Sequence, residues 1–454
     1  MMRRAPAILC VNPWIHDFAA YDFWSKPLGL LFLASVLRAC GCAVFYIDCT
    51  DRFHPRAPAV DPFSRHGRGP YLKTPIARPA GMEDVRRTFS RYGIAPEWFA
   101  EDLRNLPSRP DLVLVTSIMT YWYPGVAETI QSIKKVFPDV PVVLGGVYAT
   151  LYPDHARTHS GADAVAPGAC EKDLPDIVAA HTGLALGPAV DLKARDALPF
   201  PALDLQRVIN YAPLVTSRGC PFSCPYCAAR FLHPGPMERR KPEAVADEIG
   251  FWHTRHGVKD FAFYDDALLI DPERHFMPMA RQVIASGWKV RFHTPNALHV
   301  REINSATAGL MKKMGFETVR LGLETTSFDN RRDFDAKVTQ QEFERAAACL
   351  KQAGFDRRQI GAYLLAGLPG QCLSDIEASI SVVAKSGITP IPTYYTPMPH
   401  TALWPAAVAS SRYDLESDPV FTNNALLPCT KAPFSWNTIT AIKQRVIQAE
   451  KEVA

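Results

Sequence analysis

The chain has 454 residues, of which 47% are hydrophobic, so its length suggests two or three domains with substantial cores. Its 50 basic and 46 acidic residues leave a net charge of +4 without a dense basic block, which argues against a large nucleic-acid surface. No apolar run reaches the ~20 residues that a transmembrane helix needs. Eleven cysteines stand at irregular spacing in a chain without a secretory signal, so we expect free thiols, a cytoplasmic location and no membrane span.

Strand and helix patterns alternate along the first third of the chain. The predicted strands are residues 7–12, 43–48, 111–116, 141–146 and 162–166, with helices at residues 28–40 and 125–137. This alternation indicates a parallel sheet with helices on both faces, and such sheets bind ligands beyond the carboxyl ends of their strands. No G-x-G-x-x-G follows the first strand, so the dinucleotide-binding fingerprint is absent.

Residues 50–110 interrupt this pattern with a long insertion rich in Arg, Pro and Gly, which has one apparent helix near residues 96–106. Ordered insertions of this length are uncommon unless they are functional. Nearby, Cys40, Cys42 and Cys49 lie close together in the sequence, which leaves two readings open, packing cysteines or a metal site. Residues 191–210, which contain Leu-Pro-Phe-Pro at 198–201, are interpreted as a linker.

From residue 211 onward, strand and helix patterns repeat at intervals of about thirty residues. The predicted strands are residues 213–217, 260–265, 289–295, 318–323, 359–365 and 389–395, each of the first five followed by a helical pattern. Six β/α units predict an open barrel over residues 211–400, with its active site at the carboxyl ends of the strands. Residues 401–454 form a C-terminal extension that ends in an amphipathic helix at 436–452.

The loop after the first barrel strand contains Cys220, Cys224 and Cys227 at the spacing C-x3-C-x2-C. Three thiolates can hold three corners of a cubane iron–sulfur cluster, which leaves the fourth iron open to a substrate or cofactor. A structural zinc site usually needs four ligands, often as two separated pairs, and no second pair follows downstream. An electron carrier would have a fourth cysteine close by, and none is present.

This loop, with Arg218-Gly219 before the first cysteine and Tyr226 before the third, resembles the signature of the radical S-adenosylmethionine (SAM) enzymes. The resemblance implies that the three cysteines carry a [4Fe–4S] cluster and that SAM chelates the open iron. It also implies that one electron cleaves SAM to methionine and a 5′-deoxyadenosyl radical. Such an enzyme needs a low-potential electron donor, so the inferred partner is a flavodoxin or a ferredoxin.

The first domain resembles the cobalamin-binding-type domain that precedes many radical SAM barrels. The segments that carry this resemblance are Pro-Leu-Gly-Leu-Leu at 27–31, Gly-Gly-Val-Tyr-Ala-Thr at 145–150 and the stretch from Gly168 to Glu171. A D-x-H-x-x-G motif, whose histidine would ligate cobalt, is missing, and His16 after the first strand does not match its spacing. Two interpretations stay open: a domain that binds cobalamin, and one that keeps the fold and binds only substrate.

Polar residues recur where the predicted barrel strands end. Asp265 and Asp266 end the second strand, Asn296 follows the third, and Glu324 follows the fourth. Carboxylates at these positions can pair with the SAM ammonium or accept hydrogen bonds from ribose hydroxyls. Helix capping is the alternative for the two aspartates.

Two further segments resemble SAM-contacting parts of the family. Leu321-Gly322-Leu323-Glu324 resembles the strand-four segment that contacts SAM. Gly367-Leu368-Pro369-Gly370 resembles the turn that lies against adenine, where glycine lets the backbone approach the ligand closely.

The expected fold is α/β, with a Rossmann-like (cobalamin-binding-type) doubly wound parallel sheet over residues 1–190 and a partial (β/α)6 radical SAM barrel over residues 211–400. The expected function is reductive SAM cleavage and modification of an unactivated carbon in a small-molecule or lipid-like substrate, with cobalamin-dependent methyl transfer as the leading reaction. A cobalamin-independent cyclisation or rearrangement is the alternative. A methylthiotransferase is disfavoured, because Cys10, Cys40, Cys42 and Cys49 do not follow that family's N-terminal pattern.

Overall fold

The computed structural model describes residues 5–186, 196, 198–328, 335, 337–430 and 436–452. The chain divides into two compact units. The first comprises Met1–Asn210 together with Ser417–Thr422, and the second comprises Tyr211–Glu416 and Asn423–Ala454. The beginning of the predicted linker, residues 191–195, lies outside the described residues.

The first unit is built on a parallel sheet and a smaller antiparallel one. Its strands, in chain order, are β1 (Ala7–Asn12), β2 (Ile15–Asp17), β3 (Ala43–Asp48), β4 (Lys73–Pro75), β5 (Ser90–Tyr92), β6 (Leu112–Val115), β7 (Val142–Leu144) and β8 (Ala164–Val165). Its helices are α1 (Leu28–Ala39), α2 (Pro96–Arg104), α3 (Tyr123–Val136), α4 (Val147–Leu151), α5 (Pro153–His159) and α6 (Leu174–Thr182). The parallel sheet has the order β3-β1-β6-β7-β8, which places its topological switch point between β1 and β6.

Both faces of this sheet are covered, as expected for a doubly wound fold. Along β1, Leu9 and Val11 join a buried cluster with Phe99 of α2 and Ile130 of α3, because alternate side chains of a strand point to opposite faces. Cys10, on the other face of the strand, joins a second cluster that residues of α1 and α6 complete. The sequence-based prediction of fold class is therefore confirmed for this unit.

Parts of the long insertion form regular secondary structure. β4 and β5, which lie within it, pair with β2 in a three-stranded antiparallel sheet of order β2-β5-β4. α2 begins with Pro96 at its first position, where a proline costs no hydrogen bond, and buries Phe99 and Leu103. The insertion thus contributes a helix to the core of the first unit and a second sheet beside it.

The three closely spaced cysteines of this unit belong to opposite faces of the parallel sheet. Cys40 and Cys42 pack in the cluster formed with α1 and α6. Cys49 packs in the cluster formed with α2 and α3. Because the sheet lies between these clusters, the three thiols serve as packing residues and do not share a metal ion.

The second unit carries a six-stranded parallel sheet of order β16-β15-β14-β13-β12-β9. The strands of the unit are β9 (Ala212–Leu214), β10 (Ser217–Arg218), β11 (Glu238–Arg239), β12 (Asp260–Phe263), β13 (Arg291–His293), β14 (Phe316–Glu324), β15 (Ile360–Ala366) and β16 (Thr389–Tyr394). Its helices are α7 (Ala229–Leu232), α8 (Pro242–His256), α9 (Phe276–Ala285), α10 (Ser305–Met314), α11 (Gln340–Gln352), α12 (Leu373–Lys385), α13 (Trp404–Ser410) and α14 (Trp436–Glu452). β9 and β16 form the two edges, as expected for an open (β/α)6 barrel.

The first barrel strand is shorter than its sequence pattern suggests. The pattern predicts a strand over residues 213–217, whereas β9 ends at Leu214 and β10 pairs antiparallel with β11. The N–H groups of Thr216 and Ser217 donate to the Asp265 carboxylate, which takes them out of the parallel ladder.

Among the described residues, no helix combines the length and the hydropathy that crossing a bilayer requires.

Candidate active site

The cysteine loop begins at β10 and ends at α7. Gly219 has φ of 84°, a left-handed conformation that glycine adopts without a steric penalty. At the other end, the Ala229 N–H donates to Cys227 Sγ at 3.4 Å, which fixes the third cysteine against the start of α7. Cys220 and Cys224 are half-buried, whereas Cys227 is exposed.

The three thiols together form a donor set that fits an iron–sulfur cluster. Burial raises the pKa of Cys220, and the neighbouring Cys224 raises it further. Although Cys227 is exposed as a whole residue, its thiol is partly shielded from water, and this shielding, together with the two other cysteines of the loop, raises the pKa of Cys227 to about 11. Thiolates held this close repel one another, so their deprotonation requires a compensating positive charge. An iron–sulfur cluster supplies that charge and takes thiolates as its ligands.

Asp265 hydrogen-bonds the two residues, Thr216 and Ser217, that lead into the cysteine loop. Its carboxylate, 3% exposed, accepts hydrogen bonds from the Thr216 hydroxyl at 2.7 Å and from the Ser217 N–H and hydroxyl, both at 2.6 Å. His275 Nε2 lies 2.7 Å from the Thr216 hydroxyl oxygen, within hydrogen-bonding distance. The carboxylate oxygens of Asp265 therefore already accept hydrogen bonds from groups of the protein itself.

Asp266 and Asn296 lie beside the same loop. Burial raises the pKa of Asp266, and the nearby Gly219 N–H opposes that rise. Asn296 Nδ2 donates to the Tyr264 carbonyl at 2.7 Å and to the Asp265 carbonyl at 3.4 Å. The structure thus brings the polar ends of β12 and β13 together next to the first cysteine.

The end of β14 holds a buried ion pair that the sequence did not reveal. Glu324 is 8% exposed and has φ of 65°, a strained conformation for a residue with a side chain. Its Oε1 lies 3.3 Å from Lys337 Nζ. A Cβ on Gly322 would lie 2.9 Å from that nitrogen, so glycine leaves the room that the pair occupies.

Lys337 carries its positive charge next to the cysteine loop. Burial opposes the charged form, but Glu324 and Cys224 outweigh it and raise the pKa of Lys337. Lys337 was missed by sequence reasoning because it is a lone lysine thirteen positions after Glu324 and belongs to no motif. A cation at this position stabilises negative charge on the cysteine sulfurs.

Tyr226, predicted from the loop motif, lies between two of these groups. Its hydroxyl interacts with Cys224, and the charges of Glu324 and Cys224 add to the effect of burial, which raises the pKa of the phenol. The side chain therefore stays neutral beside the second cysteine.

His299 is a second neighbour of the loop that sequence patterns did not indicate. Its Nε2 lies 3.9 Å from Cys220 Sγ, and its ring stacks on Phe222 with 4.7 Å between centroids. Burial, followed by the charges of Lys337 and Arg301, lowers the pKa of His299 to about 3. The imidazole ring is therefore neutral and packs against the first cysteine, Cys220.

The turn after β15 is held by side chains of its own unit. The N–H groups of Gly367 and Leu368 donate to Gln371 Oε1 at 2.8 Å and 3.2 Å. Gly367 has φ of 89°, and a Cβ there would lie 2.7 Å from Leu427 Cδ2. This turn, which continues into Pro369, therefore requires glycine both for its conformation and for the close approach of Leu427.

In the first unit, small residues line the carboxyl ends of β7 and β8. A Cβ on Gly146 would lie 2.2 Å from the Ser117 carbonyl oxygen, so this glycine allows close packing. A Cβ on Gly145 would meet only the Ala166 carbonyl oxygen at 3.6 Å, and one on Gly168 would meet nothing within 4 Å. The open side of these glycines fits a large flat ligand such as a corrin at the ligand-binding edge of the sheet.

His16 is committed to a partner within the protein. The residue is 6% exposed, and its Nε2 lies 2.7 Å from Glu128 Oε2. Arg91 donates to the same carboxylate. Burial opposes ionisation, but the hydrogen bonds from His16 and Arg91 outweigh it and lower the pKa of Glu128 to about 2. His16 Nε2 therefore lies against a carboxylate of the protein rather than at an open coordination position.

Aromatic and polar side chains cluster after β6 and β7. The Tyr123 hydroxyl donates to Asp418 at 2.8 Å, and the Tyr148 hydroxyl donates to His155 Nδ1 at 2.7 Å. His155 in turn stacks on His159, with 4.0 Å between ring centroids. Asp418 belongs to the short segment Ser417–Thr422, which the fold assigns to this unit.

Two family models match the chain in the places that these features indicate. The model described as the radical SAM superfamily matches residues 214–383, which include the cysteine loop and the strand ends of the barrel. The model described as the B12 binding domain matches residues 85–178, which include β6, β7 and the glycines after β7.

Curated relatives include two methyltransferases and a cyclase. The chain is 26% identical to an uncharacterized methyltransferase of Pyrococcus horikoshii, over 70% of this chain and 74% of the relative. It is 21% identical to the cytidylyl-2-hydroxyethylphosphonate methyltransferase of Streptomyces wedmorensis, over 85% and 78%. It is 25% identical to the anaerobic magnesium-protoporphyrin IX monomethyl ester cyclase of Cereibacter sphaeroides, over 57% and 47%.

Solved structures share the fold over most of the chain. The radical SAM methyltransferase TsrM from Kitasatospora setae matches with a TM-score of 0.65 at 16% identity, over 88% of this chain and 75% of that one. The cobalamin-dependent radical SAM enzyme OxsB matches with a TM-score of 0.59 at 14% identity, over 99% and 62%. The chain therefore carries a radical SAM domain over residues 214–383 and a B12 binding domain over residues 85–178 ahead of it.

Proposed function

We propose that Cys220, Cys224 and Cys227 bind three irons of a [4Fe–4S] cluster and leave the fourth iron to SAM. The observation that carries this proposal is the convergence of three thiols on one loop at the carboxyl end of β9, within the stretch matched by the radical SAM model. When bound, the cluster supplies the electron that cleaves SAM, and cobalamin supplies a methyl carrier.

We assign the polar strand ends beside the loop to SAM. The carboxylates of Asp266 and Glu324 suit the ammonium group and the ribose hydroxyls, and Asn296 offers a further polar contact. Gly322 keeps the space beside Glu324 open. The contacts of Asp265 with Thr216 and Ser217 favour a positioning role for that carboxylate, which acts on SAM through the loop.

Two further groups complete the proposed SAM site. Tyr226 lies beside Cys224 and borders the proposed site on that side. The turn Gly367-Leu368-Pro369 is suited to adenine, because its backbone N–H groups are already bonded to Gln371 and its conformation is fixed before the ligand binds.

The reaction proposed is cobalamin-dependent methyl transfer to an unactivated carbon of a small-molecule or lipid-like substrate. Two of the relatives above are named as methyltransferases, as is the solved neighbour TsrM. The cyclase relative supports a second candidate, a cobalamin-independent ring closure or rearrangement.

All eleven cysteines are free thiols in the structure, which supports a reducing compartment such as the cytoplasm.

The test uses anaerobically reconstituted protein loaded with cobalamin and given SAM that carries a trideuterated methyl group. Formation of 5′-deoxyadenosine after addition of a low-potential reductant is the expected result. Cys224→Ala should abolish both the cluster spectrum and this product, whereas Cys372→Ser, which changes an exposed cysteine outside the loop, should leave both unchanged.

Analysis of the products formed with extracts of a strain that lacks this protein distinguishes the types of reaction. Transfer of the trideuteromethyl group to a metabolite supports methyl transfer. A product that has lost hydrogen atoms and carries no label supports cyclisation. Protein that retains no corrinoid and forms no 5′-deoxyadenosine would contradict the proposed function as a whole.

A further inference from the structure

Basic residues are concentrated in the segment of sequence that contains the cysteine loop. Residues 217–241 contain five basic residues and one acidic residue, an excess as large as the +4 of the entire 454-residue chain. The basic residues are Arg218, Arg230, Arg239, Arg240 and Lys241. A local excess of this size creates a field that attracts acidic molecules to this part of the surface.

Three of these basic side chains face solvent. Arg230, Arg239 and Lys241 are exposed, whereas Arg240 turns inward and pairs with the buried carboxylate of Glu248 at 2.5 Å. Arg230 donates to the hydroxyl of Ser223, which lies within the cysteine loop. The exposed charges therefore lie on both sides of the loop in the sequence. Arg230 follows the third cysteine, whereas Arg239 and Lys241 lie in and just after β11, which pairs with β10.

An exposed aromatic pair adjoins one of these charges, Arg230, on the same helix. Phe231 is 41% exposed and stacks on the exposed ring of His400, with 3.9 Å between centroids and 3° between planes. Phe231 belongs to α7, whose first N–H group donates to Cys227 Sγ. An apolar centre with a charged rim is the usual composition of a protein-docking surface.

We propose that this basic face, formed by Arg230, Phe231, Arg239, Lys241 and His400, is the docking surface for an acidic electron carrier of the flavodoxin type. The inference rests on the proposed function and adds the place where the electron enters. In the step, the anionic flavin hydroquinone loses one electron and becomes the neutral semiquinone. The oxidised cluster gains that electron, and no proton needs to move between the proteins.

The experiment measures cluster reduction by stopped-flow spectroscopy under anaerobic conditions. The electron donors are flavodoxin hydroquinone and, separately, photoreduced deazariboflavin, a small reductant that does not need the basic face. We expect Arg230→Glu/Arg239→Glu/Lys241→Glu to lower the second-order rate constant with flavodoxin by about tenfold or more. The rate with deazariboflavin should fall far less, because this reductant does not need the basic face.

A matched variant controls for net charge. Arg281→Glu/Lys313→Glu/Arg345→Glu makes the same charge change at exposed positions of α9, α10 and α11, and should leave the flavodoxin rate within about twofold of wild type. Equal slowing by both triple variants, or equal slowing with both reductants, would overturn the proposal.

The wild-type protein provides a test that does not depend on any variant folding. Between about 50 mM and 500 mM salt, the rate with flavodoxin should fall steeply while the rate with deazariboflavin changes little. A flavodoxin rate that is independent of salt would contradict docking at a basic face. A cluster that neither donor reduces would instead contradict the proposed function, so the two failures are distinguishable.

Discussion

At the scale of single residues, the buried pair formed by Lys337 and Glu324 has a consequence for the cluster. The pair is neutral as a whole, and each side chain is only about 10% exposed. Lys337 interacts electrostatically with Cys224, so its charge favours electron density on the cluster sulfurs. Charge near the sulfurs is one of the means by which a protein sets the reduction potential of an iron–sulfur cluster.

We therefore expect Lys337→Met to lower the cluster reduction potential, measured without SAM by an EPR-monitored redox titration, by on the order of 50 mV. The shift is downward because the reduced cluster is more negative and loses a favourable interaction. Lys337→Arg, which keeps the charge, should shift the potential less. The double variant Glu324→Gln/Lys337→Met removes both charges and should also shift it less. An unchanged potential in Lys337→Met would show that this charge does not act on the cluster.

His155 gives the first unit a dependence on pH. Burial and the neighbouring His159 lower the pKa of His155 from 6.5 to about 4, against the opposing effect of Asp418. Between these two values the unfolded chain binds a proton that the folded chain does not, so stability rises as the pH rises from about 4 to 6.5.

His155→Gln should flatten this dependence when unfolding of the full chain is followed by calorimetry across that pH range. Glutamine keeps a hydrogen-bond acceptor for the Tyr148 hydroxyl but does not titrate. His256→Gln, which replaces an exposed histidine of α8, should leave the dependence as in wild type. If the two variants behave alike, His155 is not the responsible group.

At the scale of elements, the cysteine loop is shaped by the strands behind it rather than by its own sequence. Asp265, at the end of β12, accepts hydrogen bonds from Thr216 and Ser217 and so ends the parallel pairing of the first barrel strand. The second element that fixes the loop is α7, through the contact of Ala229 with Cys227. The loop is therefore held at both ends before a metal binds.

Asp265→Asn should destabilise the second unit by about 3 kcal/mol, because the amide turns a donor toward groups that are themselves donors. It should also lower the iron content reached on anaerobic reconstitution. Thr216→Val removes one hydroxyl and leaves the carboxylate in place, so its cost should be nearer 1 kcal/mol. Denaturant unfolding and iron analysis measure the two effects; full iron content in Asp265→Asn would argue against a positioning role.

At the scale of the whole molecule, the chain does not divide at one point. The predicted extension over residues 401–454 follows the barrel, yet Ser417–Thr422 belongs to the first unit. The Asp418 carboxylate accepts the Tyr123 hydrogen bond there, and the Thr120 and Thr422 hydroxyl oxygens lie 3.2 Å apart. No periodicity or motif in this short stretch indicates such a role.

Asp418→Ala should therefore destabilise the first unit by about 1–3 kcal/mol, although the residue follows the entire barrel in sequence. The cause is the half-buried Tyr123 hydroxyl, which loses its acceptor. Adding Tyr123→Phe should recover part of the loss, and Glu416→Ala, at a nearby exposed position, should cost little. A double-mutant cycle with thermal unfolding gives the coupling; additive effects of the two changes would show that the contact contributes nothing.

The sequence by itself determined the features that depend on local pattern. Alternating strands and helices predicted both parallel sheets, because side-chain periodicity follows from backbone geometry within a few residues. The spacing of Cys220, Cys224 and Cys227 predicted a shared cluster site for a similar reason, since one short loop carries all three thiols, and this site stays a prediction.

Only the tertiary structure decided which distant residues meet. Lys337 and His299 lie beside the cysteine loop although no motif marks them. Asp265 looks like any acidic strand end in the sequence, and its role is set by the donors of a neighbouring strand. The physical reason is that contacts between residues far apart in sequence follow from packing of whole elements, and a linear pattern does not encode that packing.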